Sequence, residues 1–189
     1  MILTGPEIFR QRLLGALTIE PFDTRQLNPV SYNYRLSRTL RTHRATVIDT
    51  RAEHELEEFA IPDDGVVLQP GRVYLGTTVE AIGSTRFVPS LIGRSSLGRL
   101  GMFLQYSADL GNLGACHRWT LEIKVVQPLR VYAEMVTGQV SFWTVTGARR
   151  PYAGYFGHID EAAVPPAGLL TAPTARSPFP LPHRARRLP

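Results

Sequence analysis

The chain has 189 residues, 43% of them hydrophobic and 20% charged, with a formal net charge of +5, which suits one soluble domain with one core. A single cysteine, Cys116, excludes an internal disulfide and fits a reducing, cytoplasmic setting. No apolar run reaches the length of a membrane span, and the opening residues lack a basic-then-apolar leader pattern, so no membrane partner is expected.

Pro6 to Ala16 predicts a short amphipathic helix, with Ile8, Phe9, Leu13 and Leu14 near one face and Gly15 weakening its end. From Thr18 onward the signals change to short β-rich runs punctuated by Pro and Gly. Val66-Val67-Leu68, Val73-Tyr74-Leu75, Arg118 to Val126 and Val131 to Trp143 are the clearest strand candidates, and Gln69-Pro70-Gly71-Arg72 carries turn chemistry between the first two. Thr50 to Ala60 is charged and reads as a surface helix or loop. Its His54-Glu55 pair has no second histidine at helical spacing and is not a zinc motif. Many short strands with frequent turns argue for a distorted β-barrel or jelly roll over residues 1–164.

Residues 165–189 hold seven of the chain's 15 prolines and read as a disordered extension. Arg176, Arg184, Arg186 and Arg187 lie there with no acid beside them. Without those four the rest of the chain is at about +1, so the basicity belongs to the tail and nucleic acid is not an expected partner.

The chemistry concentrates in Gly93-Arg94-Ser95-Ser96-Leu97-Gly98-Arg99-Leu100-Gly101. Arginine grips phosphate oxygens as a planar fork, serine hydroxyls donate further hydrogen bonds, and flanking glycines let the backbone approach an anion. A serine just before Leu97 is placed to cap a short helix whose N-terminus favours negative charge. Downstream, Trp119-Thr120-Leu121-Glu122-Ile123-Lys124-Val125 alternates apolar and polar residues. On pattern alone, Glu122 is a solvated glutamate on the outer face of a half-buried strand.

These two segments resemble the dCTP deaminases, which share a fold with the trimeric dUTPases. Met1 to Ile8 is similar to the family's opening, and Ile19 to Asp23 with Asn28 to Leu36 resembles its first strand region. Leu68 to Glu80 resembles its proline-glycine hairpin and following strand, and Gly138 to Phe142 its last core strand. The matches come in family order over roughly residues 1–143. The resemblance implies an all-β fold with a short N-terminal helix, a homotrimer with sites at subunit interfaces, and hydrolytic deamination of a cytosine nucleotide, dCTP by default. It also implies that Glu122 shuttles protons while Arg99 and Ser95 polarise the reacting water, and that Arg94 and Ser96 hold the triphosphate. Gln105, Tyr106 and Ala108 fall on the strand that receives the pyrimidine, and Asn112 falls near the sugar. A glutamate in this role is expected to be partly desolvated, so that it can both take and give a proton near neutrality. No cofactor is expected to be tightly bound; Mg2+ would accompany the triphosphate. A zinc deaminase needs His-x-Glu and Pro-Cys-x-x-Cys elements, which one lone cysteine cannot supply.

Several residues depart from the family pattern. Asn112 stands where an acid usually lies; an amide can hydrogen-bond a 3′-hydroxyl but cannot act as a base, which disfavours phosphate hydrolysis unless Asp109 substitutes. Asn33 replaces an aspartate, and Glu134 stands where a glycine usually precedes Met135. His117, in an atypical His117-Arg118 pair, reads as an exposed loop histidine. The closing tail lacks its usual lysine, since the chain's only lysine is Lys124; Tyr152, Tyr155, His158 and the tail arginines are what remains for a lid. A deaminase specialised for another cytosine nucleotide (CTP or a monophosphate) and a non-catalytic nucleotide-binding or regulatory homologue are the alternative readings.

Overall fold

The computed structural model describes residues 1–105, 108–167 and 169. Helix α1 (Gly5–Leu13) starts behind Thr4, with Pro6 in the first turn, where its missing N–H costs nothing. It stops short of the predicted Ala16 because Gly15 takes a left-handed φ of +69°. Ile8 and Gln11 are buried, whereas Leu13 and Leu14 are 65% and 63% exposed. The predicted four-residue apolar face thus narrows to Ile8, with Phe9 at its edge stacked on Phe22 at 5.8 Å.

The strands follow as β1 (Thr18–Glu20), β2 (Tyr32–Arg35), β3 (Thr39–His43), β4 (Leu56–Ala60), β5 (Val66–Leu68), β6 (Val73–Gly83) and β7 (Phe87–Gly93). After a one-turn helix α2 (Ser95–Gly98) come β8 (Met102–Leu104), β9 (Cys116–Val125), β10 (Leu129–Val131) and β11 (Val136–Thr144). This is the expected all-β fold with a short N-terminal helix. One antiparallel sheet runs β4-β3-β6-β9-β8, with β1 also on β6; a second runs β2-β11-β7, and β5 pairs with β10. Between the sheets lie fully buried Tyr32, Tyr34, Leu36, Leu40, Leu121, Ile123 and Phe142, whose loss of apolar surface to water drives the packing.

Two segments differ from their sequence reading. Leu56–Ala60 is an edge strand rather than a helix or loop, with Glu58 directly opposite Arg41 and ion-paired to it at 2.5 Å. Charge on an edge strand satisfies cross-strand pairing and discourages further pairing, and it conceals the strand from an apolar pattern search. Val131 to Trp143 is two strands, not one. They part at Glu134, whose φ of +59° explains why a glycine is usual there; its carboxylate pairs with Arg38 at 2.9 Å.

A bulge in β6 sets the orientation of β9. Thr77 pairs with Thr120 and Ala81 with Arg118, so three β6 residues oppose Trp119 alone. Thr78 Oγ1 accepts the Trp119 N–H at 2.9 Å and donates to the Glu80 carbonyl at 2.7 Å, satisfying the displaced backbone. Glu80, fully buried, accepts from the Arg35 N–H at 2.9 Å and from Arg35 Nε at 2.8 Å. That hydrogen bond raises the Arg35 pKa.

Candidate active site

The Arg94–Gly101 turn carries the chain from β7 in one sheet to β8 in the other. Its internal bonds are all backbone: Leu97 and Gly98 N–H donate to the Arg94 carbonyl, and Arg99 N–H to that of Ser95. Arg94 occupies the N-cap of α2 and no side chain caps it, so the expected serine cap is absent; Ser96 lies within the turn instead. Among the described residues, Arg94, Ser95, Ser96 and Arg99 make no side-chain hydrogen bond or ion pair, and Ser95, Ser96 and Arg99 are exposed. Two guanidiniums and two hydroxyls therefore stand open on one turn.

Glu122 lies on β9 between Leu75 of β6 and the end of β8. It is half-buried, and its carboxylate has no partner among the described residues. It lines a groove of about 410 Å³ with His43, Val73, Leu75, Thr120 and Lys124, closed on one side by Ala163, Val164 and Pro165. The antiparallel register explains this grouping: His43 follows Thr42, which pairs with Tyr74, and Val73 and Leu75 pair with Lys124 and Glu122. These alternate positions share one sheet face.

Within one protomer the turn and the carboxylate are apart. The Gly101 carbonyl accepts from the Val126 N–H, and the Leu100 carbonyl from Gln127. The turn thus adjoins a point four residues beyond Glu122, about 13 Å along an extended strand. Among the described residues, neither Arg99 nor Ser95 makes a hydrogen bond or ion pair with Glu122.

The loop between the motifs is held closely. Gln105 is 8% exposed and has a left-handed φ of +49°. Its Oε1 accepts the Glu122 N–H at 2.8 Å, and its Nε2 donates to the Ala108 carbonyl at 3.3 Å. Its amide therefore serves the protein's own backbone, whereas Ala108 is exposed. Tyr106, expected at the pyrimidine, lies outside the described residues. The Asp109 and Pro89 carbonyls and the Leu91 and Gly111 N–H groups stitch the loop to β7, and Ser90 Oγ donates to Asp109 Oδ2 at 3.3 Å. Asn112 is exposed at the loop's turn, with no side-chain partner among the described residues.

His117 corrects its sequence reading. It lies on β9, only 6% exposed, with its ring 4.4 Å from that of Trp119 and Nδ1 2.9 Å from the Arg118 carbonyl. Strand alternation places it inward with Leu121 and Ile123, so it is core-facing rather than an exposed loop residue. Asn33 is also interior: its Oδ1 accepts from Asn28 at 2.9 Å.

The chain after β11 returns across this face. Tyr152 N–H donates to the Leu113 carbonyl, and a 3-10 turn follows at Tyr155–His158. Arg118 N–H donates to Asp160 at 2.9 Å, and Arg41 binds Glu161 at 3.0 Å and the Ala162 carbonyl at 2.6 Å. Tyr152 is thus a strap contact beside the loop that bears Asn112, and Tyr155 is exposed. The tail arginines considered for a lid lie outside the described residues.

Sequence reasoning missed Arg41 and His43. The signal was present as alternation in Thr39-Leu40-Arg41-Thr42-His43, where buried Leu40 and Thr42 turn the other three to the Glu122 face. Burial, and secondarily His54 at 5.3 Å between ring centroids, pushes the His43 pKa down.

Comparison with known proteins bears on this arrangement. A family model described as dCTP deaminase-like matches residues 2–145. The chain is 42% identical over 152 residues, 80% of its length and 88% of the relative's, to a "dCTP deaminase, dUMP-forming" of Hathewaya histolytica. It is 42% identical over 147 residues, 78% of its length and 74% of the relative's, to a "dCTP deaminase" of Rhodopirellula baltica. Its fold matches a crystal structure of 2'-deoxycytidine 5'-triphosphate deaminase from Agrobacterium tumefaciens with a TM-score of 0.59 at 24% identity. That match covers 75% of this chain and 47% of the other, so the chain spans about half the length of that solved protein. The fold, the ordered motifs and the extent of the family match lead to one conclusion: the chain belongs to the dCTP deaminase-like family.

Proposed function

We propose that the protein hydrolyses the exocyclic amine of a cytosine nucleotide, with dCTP as the default substrate: dCTP and water become dUTP and ammonia. The observation that carries this reading is the Glu122 carboxylate, half-buried in a groove and without a partner among the described residues, in a chain whose relatives are named for dCTP deamination. Water adds to C4 of the ring while Glu122 takes its proton and delivers it to the ring nitrogen. Glu122 then moves the next proton to the departing amine, and ammonia leaves as the carbonyl forms. Ser95 and Arg99 orient and polarise the water, and Arg94 and Ser96 hold phosphate oxygens. The protein supplies no metal to this step; Mg2+ arrives with the triphosphate.

In one chain the turn adjoins β9 at Val126, four residues and about 13 Å of strand beyond Glu122, which supports a shared site in which the turn of one protomer meets Glu122 of the next. A heterologous contact of that kind closes into a ring, and we infer a trimer.

Most of the similar relatives are named dUMP-forming, which adds phosphate hydrolysis. Here Asn112 cannot serve as the base, and the Asp109 carboxylate accepts from Ser90 while its carbonyl is tied to β7. We therefore assign dUTP as the product. The test is a panel of cytosine nucleosides and nucleotides assayed for ammonia, with the phosphorylated product identified. Ammonia and dUTP from dCTP are expected. Preferential turnover of CTP or a monophosphate would reassign the substrate, dUMP with pyrophosphate would refute the product, and no ammonia from any member would leave a nucleotide-binding protein.

A further inference from the structure

We infer that Gln105 is a positioning residue for Glu122: it ends one strand, starts the pyrimidine-side loop, and uses its side chain in place of its own backbone carbonyl. The register of β8 on β9 is Met102 to Val125, Phe103 to Lys124 and Leu104 to Ile123, so the next pair is Gln105 with Glu122. In a regular antiparallel pair of this type each residue gives its N–H to the other's carbonyl. The first half is present, Gln105 N–H donating to the Glu122 carbonyl at 3.3 Å. The second half is not a backbone bond. At Gln105 the φ of +49° turns the chain away toward Ala108, and the side-chain Oε1 takes the Glu122 N–H at 2.8 Å.

A non-glycine residue in that conformation costs backbone energy, so something local must repay it. The side chain supplies that in two bonds, the second from Nε2 to the Ala108 carbonyl at 3.3 Å. Gln105 is 8% exposed, so both bonds are shielded from competing water. One amide thus joins the peptide bearing the proton shuttle to the loop bearing Ala108 and Asn112. On the other side Leu75 of β6 lies opposite Glu122, with both Glu122 backbone groups turned to Gln105. The carboxylate hangs from a residue one beyond the last regular β8 pair, so on that side its backbone is held by the Gln105 amide and N–H.

This inference rests on the proposed deamination for its catalytic consequence, and on geometry alone for the clamp. Gln105→Gly separates the two, because glycine accepts a φ of +49° without strain while removing the amide. The variant is expected to keep its melting temperature within about 4 °C. Its kcat for the cytosine nucleotide is expected to fall on the order of 10- to 100-fold with KM nearly unchanged, as misplacement of a reacting group predicts. Hydrogen exchange of the Glu122 amide, measured without nucleotide, is expected to accelerate. Unchanged exchange at Glu122 would remove the clamp, and faster exchange with unchanged kcat would remove its positioning role. If the wild type deaminates nothing, the functional reading falls while the exchange result still decides the clamp.

Discussion

In the Arg94–Gly101 turn every internal hydrogen bond is backbone to backbone, and the side chains of Arg94, Ser95, Ser96 and Arg99 have none among the described residues. Around Glu122 the reverse holds. Its N–H and carbonyl are both bonded to Gln105, its strand is locked to β6 through a bulge whose groups are satisfied, and only the carboxylate is left over. The turn presents charge with little internal restraint, and the surroundings of Glu122 restrain one charge closely. The difference suits a phosphate grip, which tolerates several geometries, beside a proton shuttle, which must be fixed relative to the reacting carbon.

The sharpest break in that comparison is Glu122→Gln. Ammonia release is expected to fall by about 10²- to 10⁴-fold, with the melting temperature unchanged, because the carboxylate has no bonding partner among the described residues. A comparable loss of stability would show Glu122 to be structural. Mixing this variant with Arg99→Ala tests whether the halves come from different protomers. Co-assembled chains should recover activity that neither variant has alone; failure to recover would place both residues in one protomer's site.

Arg94→Ala should act on binding rather than on the chemical step. One charge-assisted phosphate contact contributes about 1.5–3 kcal/mol, so KM for the triphosphate should rise roughly 10- to 100-fold. The effect should shrink for a monophosphate, and an equal effect on both would move Arg94 away from the outer phosphates.

The smallest effect concerns the edge of the Glu122 groove. His43 has its pKa lowered in the folded protein, so the unfolded chain binds the proton more readily. Its contribution to stability is therefore present above about pH 6.5 and declines as pH falls below that value. Denaturant unfolding from pH 7.5 to 5 should show a shallower decline for His43→Phe than for wild type. Identical slopes would assign the loss to other groups.

The two halves were not equally legible in sequence. Residues 93–101 announce themselves because glycines, serines and arginines at fixed spacing are local facts, and the strands with apolar alternation, such as β9, lie close to where they were read. His117 shows the limit: its position on an inward-facing strand depends on where β9 begins, and no local composition marks that point. Leu56–Ala60 was hidden for a related reason. Its Glu58 is compensated by Arg41, 17 residues away in the chain, and pattern reading assigns charge to solvent unless the partner is known.

Sequence alone determined the fold class, through motif matches spread over residues 1–143, and the composition of the phosphate-suited turn, which is local; it marks Glu122 only through the resemblance. Only the tertiary structure decided what surrounds them. Register brings Arg41 and His43 onto the Glu122 face, the left-handed Gln105 converts a side chain into a strand acceptor, and a strap from residues 160–165 covers one wall of the groove. Each of these joins atoms distant in sequence or replaces a backbone bond by a side-chain one. The physical reason is that pairing and burial are settled by the whole sheet together, not by the residues on either side.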